Sequence, residues 1–236
     1  MRHRTQAREG GRRRIVALAV ALVLLAGGIA AILIGMDEQQ APPRPPDSAA
    51  QQQPGRPDTH GVPAASGATP RPAVGPVLPS SEPTRIDIPA IDVHHTLIGL
   101  GHNPDGSVQV PSLDDVAVPG WDTLSPAPGQ QGPAVIVGHV DSAEQGRGVF
   151  YDLGALRPGD TFTVTRADHT AAVFEITGVD EYAKDDFPTL TVYGNTAGAE
   201  ARLITCGGTF DEQSGDYESN IVAYARLVDS HPAPAP

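Results

Sequence analysis

The arrangement of hydrophobic and polar positions divides this chain into three stretches. From Ile15 to Gly35, 21 residues run without a charge. At about 1.5 Å per residue, a helix of that length spans a bilayer core of roughly 30 Å. Residues 36–83 carry almost no large aliphatic or aromatic side chains and are dominated by Pro, Ala, Gln, Ser and Gly. Beyond them the period becomes two. Arg85-Ile86-Asp87-Ile88 alternates polar and apolar and stops at Pro89, as a half-buried strand does. Further short runs fall at 95–100, 107–110, 134–137, 161–166, 172–179, 202–205 and 220–228, most of them bounded by Gly, Pro, Asn or Asp. Asn103-Pro104-Asp105-Gly106 reads as the turn between two of them. Eight strands at this spacing, with short helical turns around 148–156 and 189–194 and no long amphipathic helix, predict an all-β barrel or sandwich.

Charge orients the first stretch. Six Arg precede the apolar run against one acid, Glu9, so the amino terminus is expected in the cytoplasm and the remainder outside the cell. The run exceeds the usual ~7–15 apolar residues of a cleaved signal, and no clear Ala-x-Ala site follows it, so it is read as a permanent anchor. The middle stretch lacks the apolar surface needed to offset the entropy of ordering it, and its prolines stiffen it toward an extended stalk. The expected organisation is a basic cytoplasmic segment 1–14, a transmembrane anchor 15–35, a disordered linker 36–83, a folded domain 84–230 and a tail 231–236. The net charge is −12, and from Thr84 onward seven Lys and Arg face 22 Asp and Glu. That balance argues against nucleic acid or an anionic membrane surface as the domain's partner, and suits cationic peptide segments.

One cysteine stands in the whole chain, Cys206, at the end of the run Arg202-Leu203-Ile204-Thr205 and before Gly207-Gly208. A lone cysteine is often a small core hydrophobe. As a nucleophile it needs a partner, because the thiolate is the reactive form and an ordinary thiol is mostly protonated at neutral pH. Of eight histidines, His139 repeats the cysteine's setting: Val135-Ile136-Val137-Gly138-His139 is an apolar strand, a glycine and then a polar side chain. Two buried strands ending this way could deliver both groups to one cleft. A single cysteine also excludes an intramolecular disulfide, so the core must supply the stability.

Gly138-His139-Val140-Asp141-Ser142, Leu203-Ile204-Thr205-Cys206-Gly207-Gly208 with Phe210-Asp211, and Asn220-Ile221-Val222-Ala223-Tyr224-Ala225 resemble a sortase of the actinobacterial class F type. Pro119-Gly120-Trp121 and Leu156-Arg157-Pro158-Gly159-Asp160 resemble the same class, and the order of anchor, stalk, His and Cys is the family's. The resemblance implies an eight-stranded β-barrel and a cell-surface cysteine transpeptidase. Cys206 would attack the threonine carbonyl of a Leu-Pro-x-Thr-Gly-like sorting signal to give a thioacyl enzyme. His139 would act first as acid, then as base. The acceptor would be an amine of a cell-wall precursor, and no metal or organic cofactor is required.

The sequence departs from the family in one respect. Sortases carry an arginine near the start of the last strand, whereas no Arg or Lys lies between Cys206 and Arg226 here, and Glu212 and Glu218 occupy the segment where relatives carry it. Arg226 is expected about 20 Å from the start of its strand, and Arg202 about 13 Å from the thiol. Asn220, Thr205, the Gly207-Gly208 amides and Arg147 are the candidate substitutes for stabilising an oxyanion or holding substrate. The competing reading of this departure is a pseudo-sortase that binds sorting signals without processing them.

Overall fold

The computed structural model describes residues 41–51 and 75–233. The basic segment 1–14, the expected anchor 15–35, most of the linker and the last three residues lie outside them. Among the described residues no helix is long and apolar enough to cross a membrane. The chain divides into Met1–Ala41 and Pro42–Pro236, and the sheet belongs to the second unit.

Eleven strands are formed there: β1 (Pro83–Ile88), β2 (Val93–Thr96), β3 (Ile98–Leu100), β4 (Gly120–Asp122), β5 (Gly132–Val137), β6 (Asp141–Ser142), β7 (Gly146–Arg147), β8 (Thr161–Arg166), β9 (Thr170–Ala183), β10 (Ala199–Asp211) and β11 (Asp216–Pro232). One short helix, α1 (Thr189–Tyr193), and a few 3-10 turns complete the described elements. Nine strands make one sheet in the order β2-β1-β8-β9-β11-β10-β5-β4-β3, and β6-β7 is a separate hairpin. The outermost strands of that order, β2 and β3, are separated in the chain only by Leu97, so the sheet must curl until its two edges meet. Leu97 is buried at the seam and donates its N–H to the Thr84 carbonyl at 3.0 Å. The fold is therefore a barrel-like all-β sheet.

The expected count of eight strands is corrected in four places, the first being the hairpin β6-β7, which none of the expected runs contains. The run at 95–100 is divided at Leu97, where the ribbon passes from one sheet edge to the other. Residues 107–110 contribute only an isolated bridge from His102 to Val108. Gly120-Trp121-Asp122, too short to show a period, pairs with β3 and β5.

Inward positions build the core: Ile86 and Ile88 of β1, Phe162 and Val164 of β8, Phe174 and Ile176 of β9, with Leu203, Ile221 and Ala223. Phe162 and Phe174 stack with centroids 5.1 Å apart. β11 is buried on both faces in its middle, because Val222 and Tyr224 pack outward with Ile204 and Val135 against Val192 of α1.

Parts of the segment 36–83, expected as an unstructured linker, lie against this barrel. Ala49 is fully buried in the core, the Gln51 N–H donates to the Asp180 carboxylate at 3.3 Å, and Arg44 donates to the Thr209 hydroxyl at 3.0 Å. Leu78 packs on the core and donates its N–H to the Gly129 carbonyl at 2.7 Å. Alanine and leucine placed singly in a proline-rich stretch leave no periodic signal, so these contacts could not be read from the pattern.

Candidate active site

The pairing of β5 with β10 assembles the site. Two antiparallel strands would send His139 and Cys206 to opposite rims. These two are parallel, with Ile204 opposite Val137, and the Gly138 N–H continues the ladder to the Ile204 carbonyl at 3.1 Å. His139, just past the end of β5, and Cys206, on β10, therefore stand at the same rim, and two-residue alternation puts Cys206 on the face of Ile204. Glycine is required at 138, where a Cβ would meet Val149 at 2.6 Å and Phe150 at 2.8 Å. Gly208 has φ +80°, and a Cβ there would meet the Ser219 hydroxyl at 2.7 Å. It carries the β-bulge that shifts the β10–β11 register beyond Cys206.

Cys206 is half-buried and packs against Val140, Tyr151 and Tyr217. Burial raises its proton affinity above that of an ordinary thiol. The positive charge of Lys184 opposes that shift, while Asp216 and Asp141 add to it. The His139 ring gives Nε2–H to the Pro111 carbonyl at 2.8 Å. A carbonyl can only accept, so Nδ1 is the nitrogen left to gain and lose a proton. Tyr217 donates to Asp141 at 2.5 Å, and burial together with that carboxylate holds the phenol far above its usual range.

The remaining candidates separate. Asn220 stands directly opposite Cys206 on β11. Thr205 is buried beside it, and its hydroxyl has no hydrogen-bond partner among the described residues. Arg147 lies 4.4 Å over the Tyr151 ring. Arg202 is buried and spends its donors on the Val192 carbonyl and Glu200, and Arg226 pairs with Glu175 at 2.7 Å. Neither of the latter two is held toward the thiol. Glu212 and Glu218 are exposed on the β10–β11 hairpin.

A groove of about 630 Å³ runs along the same face, floored by Val135, Val137 and Ile204, walled by Leu124 and Tyr193, and reaching Asn220. Its side wall holds a pair that sequence reasoning missed, His102 Nε2 and the buried Asp122 at 2.9 Å. Lys184 was missed as well. The only signal available for it was that it is the chain's sole lysine. Among the described residues no group of three or more His, Cys, Asp or Glu is arranged to hold a metal ion.

The family model for the sortase domain matches residues 86–228. None of the curated proteins matches the chain. Among solved structures, the chain is similar to sortase A of Listeria monocytogenes at 17% identity and TM-score 0.49, over 66% of this chain and 92% of that one. It is similar to the sortase from Actinomyces oris at 18% identity and TM-score 0.46, over 70% and 89%. With sortase C of Streptococcus pneumoniae the figures are 17%, 0.47, 64% and 68%.

Proposed function

The chain belongs to the sortase family, a family of cysteine transpeptidases, and on that premise we propose that it is an anchored sortase of the class F type acting on a Leu-Pro-x-Thr-Gly-like signal. Cys206, its proton passed to His139, attacks the threonine carbonyl as the thiolate, forming the C–S bond and moving the carbonyl π electrons onto oxygen. Collapse expels the glycine amine, which takes a proton from His139 Nδ1, and leaves a thioester. A cell-wall amine then attacks the thioester, gives its proton back to His139 and releases the sulfur. The anchor 15–35 would hold the amino terminus in the cytoplasm and the catalytic domain outside.

One observation carries this reading: His139, just past β5, and Cys206, on the parallel strand β10, stand at one rim beside an apolar groove. Apolar walls suit the Leu and Pro of such a signal, and the groove reaches Asn220, the residue opposite Cys206 on β11. The full-length protein, incubated with a Leu-Pro-x-Thr-Gly peptide, is expected to show an acyl adduct on Cys206 by mass spectrometry. Peptide should be cleaved between Thr and Gly, and Cys206→Ala should show neither. Peptide binding without adduct or cleavage would replace the enzyme with a binding module. Anchoring is checked by fractionation: the full chain should remain in membranes after an alkaline carbonate wash, and release would overturn that part.

A further inference from the structure

Lys184 is the only lysine in the chain and Cys206 the only cysteine, and the sheet register brings them together. Cys206, Asn220 and Tyr182 form one row across β10, β11 and β9, and residues opposite one another in such a row share a face. The next row is Ala183, Ser219 and Gly207, and Lys184 follows it directly, opening the 3-10 turn after β9 at the rim of the thiol. Asp216, at the start of β11, shares the parity of Asn220, and its carboxylate takes the Lys184 ammonium at 2.6 Å. The salt bridge thus fixes the ammonium on the β11 side of that rim, where its positive charge acts on the thiol.

The groups around the sulfur make this cation consequential. Asp216 on β11 and Asp141 on β6 face it with negative charge, and both strengthen the thiol's hold on its proton, as burial does. The phenols of Tyr217 and Tyr151 pack with it, and His139 follows β5 with Nε2–H committed to the Pro111 carbonyl. Arg147 is stationed over the Tyr151 ring. Against two carboxylates and an apolar wall, a thiolate needs a positive neighbour.

We propose that Lys184 is the cationic group of the reaction centre: held by Asp216, it stabilises the negative charge that sits first on the Cys206 sulfur and then on the substrate's carbonyl oxygen. The proposal rests on Cys206 being the nucleophile, as assigned above. Lys184 exchanges no proton. When the C–S bond forms, the charge moves from sulfur to the oxygen of the carbon just bonded to it, within reach of a flexible four-carbon stem. When the C–N bond breaks, the carbonyl re-forms and the charge is gone.

The lone cysteine makes the test direct. In the full-length protein, the rate of alkylation by iodoacetamide is followed against pH by mass, with no substrate present. Lys184→Met is expected to move the midpoint of that profile to higher pH, Lys184→Arg to leave it near the wild type, and Asp216→Asn to move it to lower pH. In the double variant the downward shift should grow, since in the single variant it is partly offset by the loss of the hold that Asp216 keeps on Lys184. With peptide, Lys184→Met should lower kcat about 10²-fold with little change in KM. A midpoint that Lys184→Met leaves in place overturns the proposal, as does a downward shift by Asp216→Asn that is no larger without Lys184. Should Lys184→Met fail to fold, Lys184→Gln with Asp216→Asn gives the same cycle. A wild type that is alkylated with these shifts but never cleaves peptide would refute the enzymatic reading and leave the Lys184 assignment to the thiol standing.

Discussion

At the end of β8, beside the start of β9, Arg166 is enclosed. Its side chain is 0% exposed, and its two terminal nitrogens donate to the Pro79 carbonyl at 2.6 Å, the Pro128 carbonyl at 3.2 Å and Asp168 at 2.8 Å. At the other end of β9, Lys184 keeps 32% of its side chain in solvent and takes one carboxylate, Asp216. Arg166 bonds to backbone that cannot move without unfolding the rim, so its charge ties the residues around Pro79 and Pro128 to the sheet. Lys184 is a compact ammonium on a flexible stem with donors beyond the one that Asp216 takes, so it can follow a charge that appears and moves. Cations of similar sign and strength thus serve stability at one rim and chemistry at the other. What separates them is whether their partners are fixed carbonyls or a reacting atom.

The sharpest way to test that division is at the catalytic rim. His139→Asn should reduce peptide cleavage about 10²–10⁴-fold, with melting temperature nearly unchanged. An active His139→Asn would remove the acid–base role and with it the meaning of the shared rim. At the closed rim the effects should invert: Arg166→Met strands two buried carbonyls and is expected to lower stability by about 2–4 kcal/mol in a denaturant melt. Activity per folded molecule should hold, and a large loss of kcat at unchanged stability would break the contrast. The smallest effect is expected at Arg226, whose exposed pair with Glu175 at 2.7 Å lies far from the thiol. Arg226→Ala should change stability by no more than about 0.5 kcal/mol and leave cleavage unaltered, which checks that surface charge alone accounts for neither rim.

Much of the barrel was legible because one-sided burial writes itself as alternation. Ile86 and Ile88 alternate with Arg85 and Asp87 in the sequence and point inward, and the strands expected at 161–166 and 172–179 turn Phe162, Val164, Phe174 and Ile176 inward in the same way. Gly120-Trp121-Asp122 was not legible, since three residues carry no period, and neither was the division at Leu97, which depends on the sheet closing. The catalytic candidates were found from type and setting: one cysteine and one matched histidine, each at the exit of an apolar strand. For the cation, the family resemblance points to the start of the last strand, where no Arg or Lys lies between Cys206 and Arg226. Lys184 lies 22 positions before Cys206 in the sequence, and only the register of three strands makes the two neighbours. The same holds for Gln51 and Arg44, whose contacts cross more than a hundred residues.

Composition and pattern alone determined that this chain has a charge-free run long enough to span a bilayer, a proline-rich segment after it, an all-β domain and a single thiol matched with one histidine. These follow from local quantities: length, period, and which side chains can be buried or ionised. The tertiary structure decided that β5 and β10 run parallel, so that histidine and cysteine share a rim. It also decided that Asp216 and Lys184 meet beside the sulfur, and that Arg166 is sealed while Lys184 is not. Those facts depend on strand order and register, where a shift of one residue would turn each of these side chains to the opposite face.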